Sequence, residues 1–215
     1  MTPSHTFPRT FNISALTPPK GFMPIDDTPI CLEIGVGKGK HALNFAKDNP
    51  SRTLYALERT TEKYTAFAKS LQSTALANLH AIHADAIAWS VFALSPCQVE
   101  QCFILYPNPE PKNKNQRFVH MPFFEFLLSR LAPNGQIVIA SNIADYITEA
   151  QQVLSEVWRL PHSTRQILPP SARTHFESKY LARGEVCQEI IISKPNGYLT
   201  RFDDVYPPQI SICHD

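Results

Sequence analysis

From residue 30 onward, short apolar runs rich in β-branched side chains alternate with longer stretches whose apolar positions recur every three or four residues. The short runs ICLEI (30–34), TLYAL (53–57), LHAIH (79–83), VEQCFILY (99–106), QIVIAS (136–141) and EVCQEIIIS (185–193) read as strands. Between them, 38–48, 62–72, 86–94, 119–131 and 144–159 carry the helical period. Strands that alternate with helices form βαβ units, so the pattern predicts an α/β protein with a mostly parallel, doubly wound sheet. Run 99–106 is apolar on both faces, which places it at the sheet centre. APNGQ (132–136) reads as a turn in which Asn134 or Gly135 takes positive φ.

The termini lack any period. Residues 1–29 hold six prolines and read as a Pro-rich extension that is either loosely ordered or laid across the domain; 30–194 is the folded domain and 195–215 a Pro/aromatic tail. A length of 215 residues suits one such domain. With 20 basic against 19 acidic residues there is no global attraction to polyanions, so any nucleic acid has to be held by a local basic patch. The five cysteines form no CxxC pair, and Cys31, Cys102 and Cys187 fall inside strand runs, as reduced core thiols do. No apolar run reaches the roughly 20 residues of a membrane span, and no apolar h-region marks the N-terminus, so the expectation is a cytoplasmic protein, monomeric or homodimeric. The eight histidines show no metal spacing, and no metal is expected.

The candidate chemistry begins at Glu33-Ile-Gly-Val-Gly-Lys-Gly39, between the first strand and the first helix. Gly35, Gly37 and Gly39 allow a tight turn and let a ligand approach the main chain and the helix N-terminus. A dinucleotide fingerprint would need its third glycine where Lys40 stands. The pattern E-x-G-x-G-x-G instead resembles the first motif of S-adenosylmethionine-dependent methyltransferases, in which the acid meets the ammonium end of the cofactor. Glu58 ends the second strand, where a carboxylate can accept both ribose hydroxyls, and Asp85 ends the third, near the adenine amino group in such enzymes.

Tyr106-Pro-Asn-Pro-Glu-Pro-Lys112 then follows the fourth strand. With EIGVGKG, Glu58, DA (85–86), FFEFLLSRLAPNGQ, ASNIADY and RTHFESKYLARGEVCQEIIISK, it resembles the tRNA (guanine-N7-)-methyltransferase family over about Ile30 to Ser193. The resemblance implies a Rossmann-like class I methyltransferase with a seven-stranded sheet, an antiparallel last strand, S-adenosylmethionine as cofactor and tRNA as partner. It places Glu33, Gly35, Gly37, Gly39, Glu58, Arg59, Asp85, Ala86 and Asn108 on the cofactor side. Asn108 stands where the family has its active-site Asp; Lys112, Asn142, Thr174 and Glu177 stand at substrate-side positions. Two Asp positions of the family hold Asn here, at 108 and 142, Glu110 replaces a Trp, and the basic stretch KNKNQR is short.

Guanine N7 is an unprotonated nucleophile, so placement rather than a general base is the main requirement. Because each proline disfavours helix for the residue before it, Asn108 and Glu110 are expected to be extended. Lys112, Lys114 and Arg117, with Arg173, Lys179 and Arg183, are the candidate phosphate-contacting rim. The alternatives are a methyltransferase of this lineage with another substrate, and a catalytically impaired cofactor- or RNA-binding homologue.

Overall fold

The computed structural model describes residues 9–208 of the chain. Thirteen principal elements follow one another: β1 Ile30–Ile34, α1 Lys40–Asp48, β2 Leu54–Glu58, α2 Thr61–Gln72, β3 Leu79–His83, α3 Ala86–Ala93, β4 Val99–Leu105, α4 Phe123–Arg130, β5 Leu131–Ser141, α5 Ala144–Val153, β6 His162–Ile167, α6 His175–Ala182 and β7 Cys187–Ser193. The sheet order is β3-β2-β1-β4-β5-β7-β6. The first five strands by sequence run parallel, and β7 is antiparallel to both β5 and β6. Chain order reverses between β1 and β4, and open α/β sheets bind ligands in the crevice outside the carboxyl ends of the strands at such a point. β4 is central, as its two apolar faces require.

Two elements have no counterpart among the runs read from the periodicity. β6 (HSTRQI) is an edge strand in which only Ile167 is buried, so it lacks an apolar alternation. α6 opens on a capping box rather than on an apolar stripe. The helical period over 119–131 resolves into a 3₁₀ turn at Phe118–His120 followed by α4, with Pro122 between them. Helix 144–159 is α5 continued by a π-helical turn, Leu154–Trp158, closed by left-handed Arg159. At APNGQ it is Asn134 that takes positive φ (63°). Leu131 pairs with Val99 and Gln136 with Gln101, so 132–135 bulge from β5.

Apolar clusters cover both sheet faces. Cys31, Cys102 and Cys187 are buried free thiols in them, while Cys97 is exposed; Cys213 lies outside the described residues. The flanking segments join the core: Phe11, Phe22 and Tyr198 pack against it and Phe202 lies within it. Between residues 9 and 29 the chain therefore lies across the domain. Among the described residues no helix is long and apolar enough to cross a membrane.

Candidate active site

The glycine loop crosses the carboxyl end of β1. The amides of Gly35 and Val36 donate to the Leu57 carbonyl (2.9 and 3.0 Å), which ties the loop to β2. Gly35, Gly37 and Gly39 all have positive φ (76°, 62° and 82°), but they serve different ends. A Cβ on Gly35 or Gly37 would meet no atom within 4 Å, whereas one on Gly39 would lie 2.0 Å from Phe67 Cδ2. The first two leave an open cradle; the third lets α2 pack against the start of α1.

Glu58 is buried and braces the cradle from β2: Oε2 accepts from Gly37 N (2.9 Å) and Oε1 from Thr60 N (2.8 Å). Each carboxylate oxygen has a second lone pair, so acceptor capacity remains. Glu33 is buried too, and its Oε2 meets His41 Nδ1 at 2.9 Å. The His41 ring stands edge-on to Phe103 at 4.6 Å, which fixes the imidazole. Asp85 caps α3, with Oδ1 accepting from Ile87 N and Ala88 N (2.9 and 3.1 Å), which leaves Oδ2 toward solvent. Ala86 opens that helix and Arg59 is exposed just beyond β2. Lys40 Nζ donates to Ser178 Oγ (2.7 Å), joining α1 to α6. The open cradle and the carboxylates ending β1 and β2 and following β3 suit a cofactor with an ammonium end and a ribose.

The proline loop leaves β4 through left-handed Tyr106 (φ 55°), whose ring packs with Phe176 and Tyr180 of α6 at 6.1 and 5.8 Å. The pre-proline expectation fails at Glu110: its φ is 43°, left-handed rather than extended. Side-chain contacts within the loop overrule the backbone preference here. Arg117 Nε donates to the Pro109 carbonyl (2.7 Å), and the Asn108 amide donates from Nδ2 to Glu110 Oε1 (2.6 Å). Conformations of this kind cost about 1–3 kcal/mol and persist where the surroundings impose them.

Three of the six residues of the expected cationic rim, Lys114, Arg117 and Arg173, are paired with acids of this chain at 2.9 Å or less. Arg117 is buried, and its Nη1 donates to Glu149 Oε2 (2.8 Å). Lys114 Nζ reaches the same oxygen (2.5 Å), and His120 Nε2 lies 2.7 Å from Oε1. Burial alone would raise the Glu149 pKa, but hydrogen bonds from Lys114 and His120 and the Arg117 charge outweigh it and hold the carboxyl below its usual range. Arg117 therefore clamps the proline loop from within, with Lys114 joining the same carboxylate from the surface, and the three-residue basic patch read from the sequence reduces to Lys112 and Lys114, both exposed. Arg173 is likewise committed, to Glu177 and Glu189 (2.9 and 2.6 Å).

On the far side, Asn142 donates from Nδ2 to Glu185 Oε2 (2.7 Å). Thr174 and Glu177 form the capping box of α6: Thr174 Oγ1 accepts from Glu177 N (2.9 Å), and Glu177 Oε2 accepts from Thr174 N (3.3 Å). Glu177 is fully buried, with Oε2 also accepting from Arg173 N (2.5 Å). Sequence reasoning missed Glu149 and His41. Glu149 carries no motif; His41 had one available signal, a titratable side chain on the buried face of a helix that follows a ligand loop. A cavity of about 440 Å³ lies along β3, between residues 19–25 and Tyr55, His80 and Trp89, and reaches His83 and Ala84, next to Asp85.

A family profile described as "Putative methyltransferase" matches residues 27–190. A protein of Nitrosospira multiformis named tRNA (guanine-N(7)-)-methyltransferase is 30% identical over 174 residues, covering 79% of this chain and 76% of the relative. Among solved structures, the 16S rRNA methyltransferase KamB superposes with a TM-score of 0.59 at 20% identity, over 78% of this chain and 88% of its own. A Haemonchus contortus phosphoethanolamine N-methyltransferase 2 in complex with S-adenosyl-L-methionine gives 0.52 at 13% identity, over 82% and 50%. At these identities the structural likeness is one of fold.

Proposed function

The chain belongs to the tRNA (guanine-N7-)-methyltransferase family, and we infer from that membership that it transfers a methyl group from S-adenosylmethionine to guanine N7 in tRNA, in the cytoplasm. The observation in the structure that supports this most directly is the open cradle at Gly35 and Gly37, at the point where strand order reverses, between the acids Glu33 and Glu58. When bound there, S-adenosylmethionine supplies a methyl group made electrophilic by its sulfonium.

The chain's own residues would bind and aim. Glu33, oriented by His41, would take the ammonium end; the lone pairs left on Glu58 would accept ribose hydroxyls, with Arg59 alongside. The outer oxygen of Asp85, with Ala86, would meet the adenine edge. Gly35 and Gly37 would let the cofactor approach the main chain, while Gly39 keeps α1 seated on α2. Guanine N7 already carries a free lone pair, so no residue has to remove a proton. The work is to hold the base in line and to exclude water, and such alignment accounts for a large part of many rate enhancements. Asn108, on a loop fixed by three prolines and by Arg117, would stand beside the base, and Lys112 would take a backbone phosphate. Asn142, Thr174 and Glu177 would shape the opposite wall, the last two by fixing the start of α6.

The test is to incubate the protein with labelled S-adenosylmethionine and bulk tRNA that lacks 7-methylguanosine, then digest the tRNA and identify the labelled nucleoside. The expected product is 7-methylguanosine. Cofactor binding without label in tRNA, under conditions where a family enzyme succeeds, would overturn the reading; label in another nucleoside would assign a different substrate atom.

A further inference from the structure

We propose that Glu110 is the substrate-side carboxylate of this enzyme: oriented by Asn108, it accepts the N1–H and N2–H donors of the target guanine and offsets the positive charge that forms on the base as N7 is methylated. The proposal rests on the function inferred above.

Four observations carry it. Glu110 is the one acid in the loop Leu105–Phe118. Its Oε1 accepts from Asn108 Nδ2 at 2.6 Å, and its own amide lies 3.5 Å from Asn108 Oδ1, so the amide side chain grips both ends of the residue. Its charge has no ion-pair partner within 4 Å among the described residues, although four basic groups, Lys112, Lys114, Arg117 and His120, follow within ten positions. Lys114, Arg117 and His120 all turn to Glu149, at 2.5, 2.8 and 2.7 Å. Finally, the backbone at Glu110 is left-handed immediately before a proline, and the preceding carbonyl, that of Pro109, is fixed by Arg117. The loop is thus built to hold one uncompensated carboxylate at the carboxyl edge of β4.

The chemistry of guanine matches that group. Its Watson–Crick edge presents two adjacent N–H donors, which the two oxygens of a carboxylate can accept together. Methylation at N7 leaves the base cationic, so a preorganised negative charge acts more strongly in the transition state than in the ground state. Asn108 alone offers one acceptor and no charge. Paired with Glu110 it becomes the hydrogen-bond donor that orients the carboxylate, and the charge expected at position 108 is supplied from position 110.

The decisive comparison is between Glu110→Gln, Asn108→Asp and the double variant. Each is assayed for kcat and KM on tRNA, and for S-adenosylmethionine affinity by calorimetry. Glu110→Gln should lose ten- to a hundredfold in kcat/KM for tRNA, with cofactor affinity unchanged within twofold. Asn108→Asp alone sets two carboxylates against each other and should also lower the rate. The double variant restores one donor and one charge and should recover most of it. With the target guanosine replaced by inosine, which lacks the 2-amino group, the wild type should drop about tenfold, and Glu110→Gln should discriminate far less. Wild-type rates for Glu110→Gln, or a loss that follows weakened cofactor binding, would overturn the proposal. If the wild type places no label in tRNA, the functional reading fails by itself. Glu110 is then judged by binding of guanosine and inosine oligonucleotides, and equal affinity for the two in the wild type would overturn it.

Discussion

A methyl group added to Gly39 and one added to Gly37 should fail in different assays, although both residues sit in one left-handed loop (φ 82° and 62°). At Gly39 the new Cβ would lie 2.0 Å from the ring of Phe67, which is fully buried. The left-handed backbone costs roughly 1–2 kcal/mol and overpacking a further 1–3. Gly39→Ala should therefore lower the thermal unfolding midpoint by roughly 4–20 degrees, as read by circular dichroism. At Gly37 the space is open, so Gly37→Ala should cost only the backbone term in stability while weakening S-adenosylmethionine binding at least tenfold by calorimetry. The spacing of the glycines and the three acids was legible in the sequence because both depend on chain-local geometry at strand ends. Which glycine serves packing was not, since the answer lies in a ring on α2. The same holds at Glu110, where the rule for residues before proline describes a local preference and Arg117 and Asn108 supply the contacts that overrule it.

At the level of elements, the proline loop and α5 act as one unit through Glu149. Replacing this carboxylate by an amide leaves the buried Arg117 without its counter-charge, a loss of about 1–3 kcal/mol. Glu149→Gln should accordingly raise amide hydrogen exchange across 106–117 and lower kcat while sparing cofactor affinity. If Lys114 and Arg117 instead served phosphates, removing the competing acid would tighten tRNA binding, and KM would fall; the two readings thus differ in sign. Because the Glu149 carboxyl is held below its usual range when folded, its stabilisation is complete above the unfolded value and is lost as pH falls. Wild type and Glu149→Gln should therefore converge in stability as pH drops below roughly 4.3, which paired thermal melts would reveal. Five of the six helices and six of the seven strands were readable from periodicity, because each carries an apolar face toward the sheet. β6 and α6 were not: the first is a polar edge strand, and the second is set by its capping box, Thr174 with Glu177. A chain of cations such as KNKNQR is equally opaque, since its composition is the same whether it faces phosphate or a neighbouring acid.

For the whole molecule, segments 9–29 and 195–208 pack on the face of the sheet that carries α4, and the buried residue that ties the second of them there is Arg130. It is fully buried and donates to the carbonyls of Leu94, Val205 and Phe202 (2.8, 2.7 and 2.6 Å), with its guanidinium 4.5 Å from the Phe126 ring. Burial pushes its pKa down to about 10. Nearby, Arg201 joins Glu125 of α4 to Thr10 Oγ1 and the Arg9 carbonyl, and Phe11 meets Phe123, Phe126 and Phe202 within 5.6–6.1 Å. Periodicity could not reveal this, because single aromatic side chains spaced by prolines carry no repeat. Ending the chain after Asn196 would remove two of the three carbonyls and Phe202, and would leave a buried cation largely unpaired. An uncompensated buried charge costs about 3–5 kcal/mol, against a total stability of about 5–15 for a domain. The shortened chain should therefore unfold at much lower urea or accumulate as aggregate. Arg130→Met tests the cause. In the full chain it should destabilise, by forfeiting the hydrogen bonds to all three carbonyls; in the shortened chain it removes the stranded charge and should recover part of the lost stability. A double-mutant cycle that showed equal effects in the two backgrounds would mean that the tail stabilises through apolar burial alone.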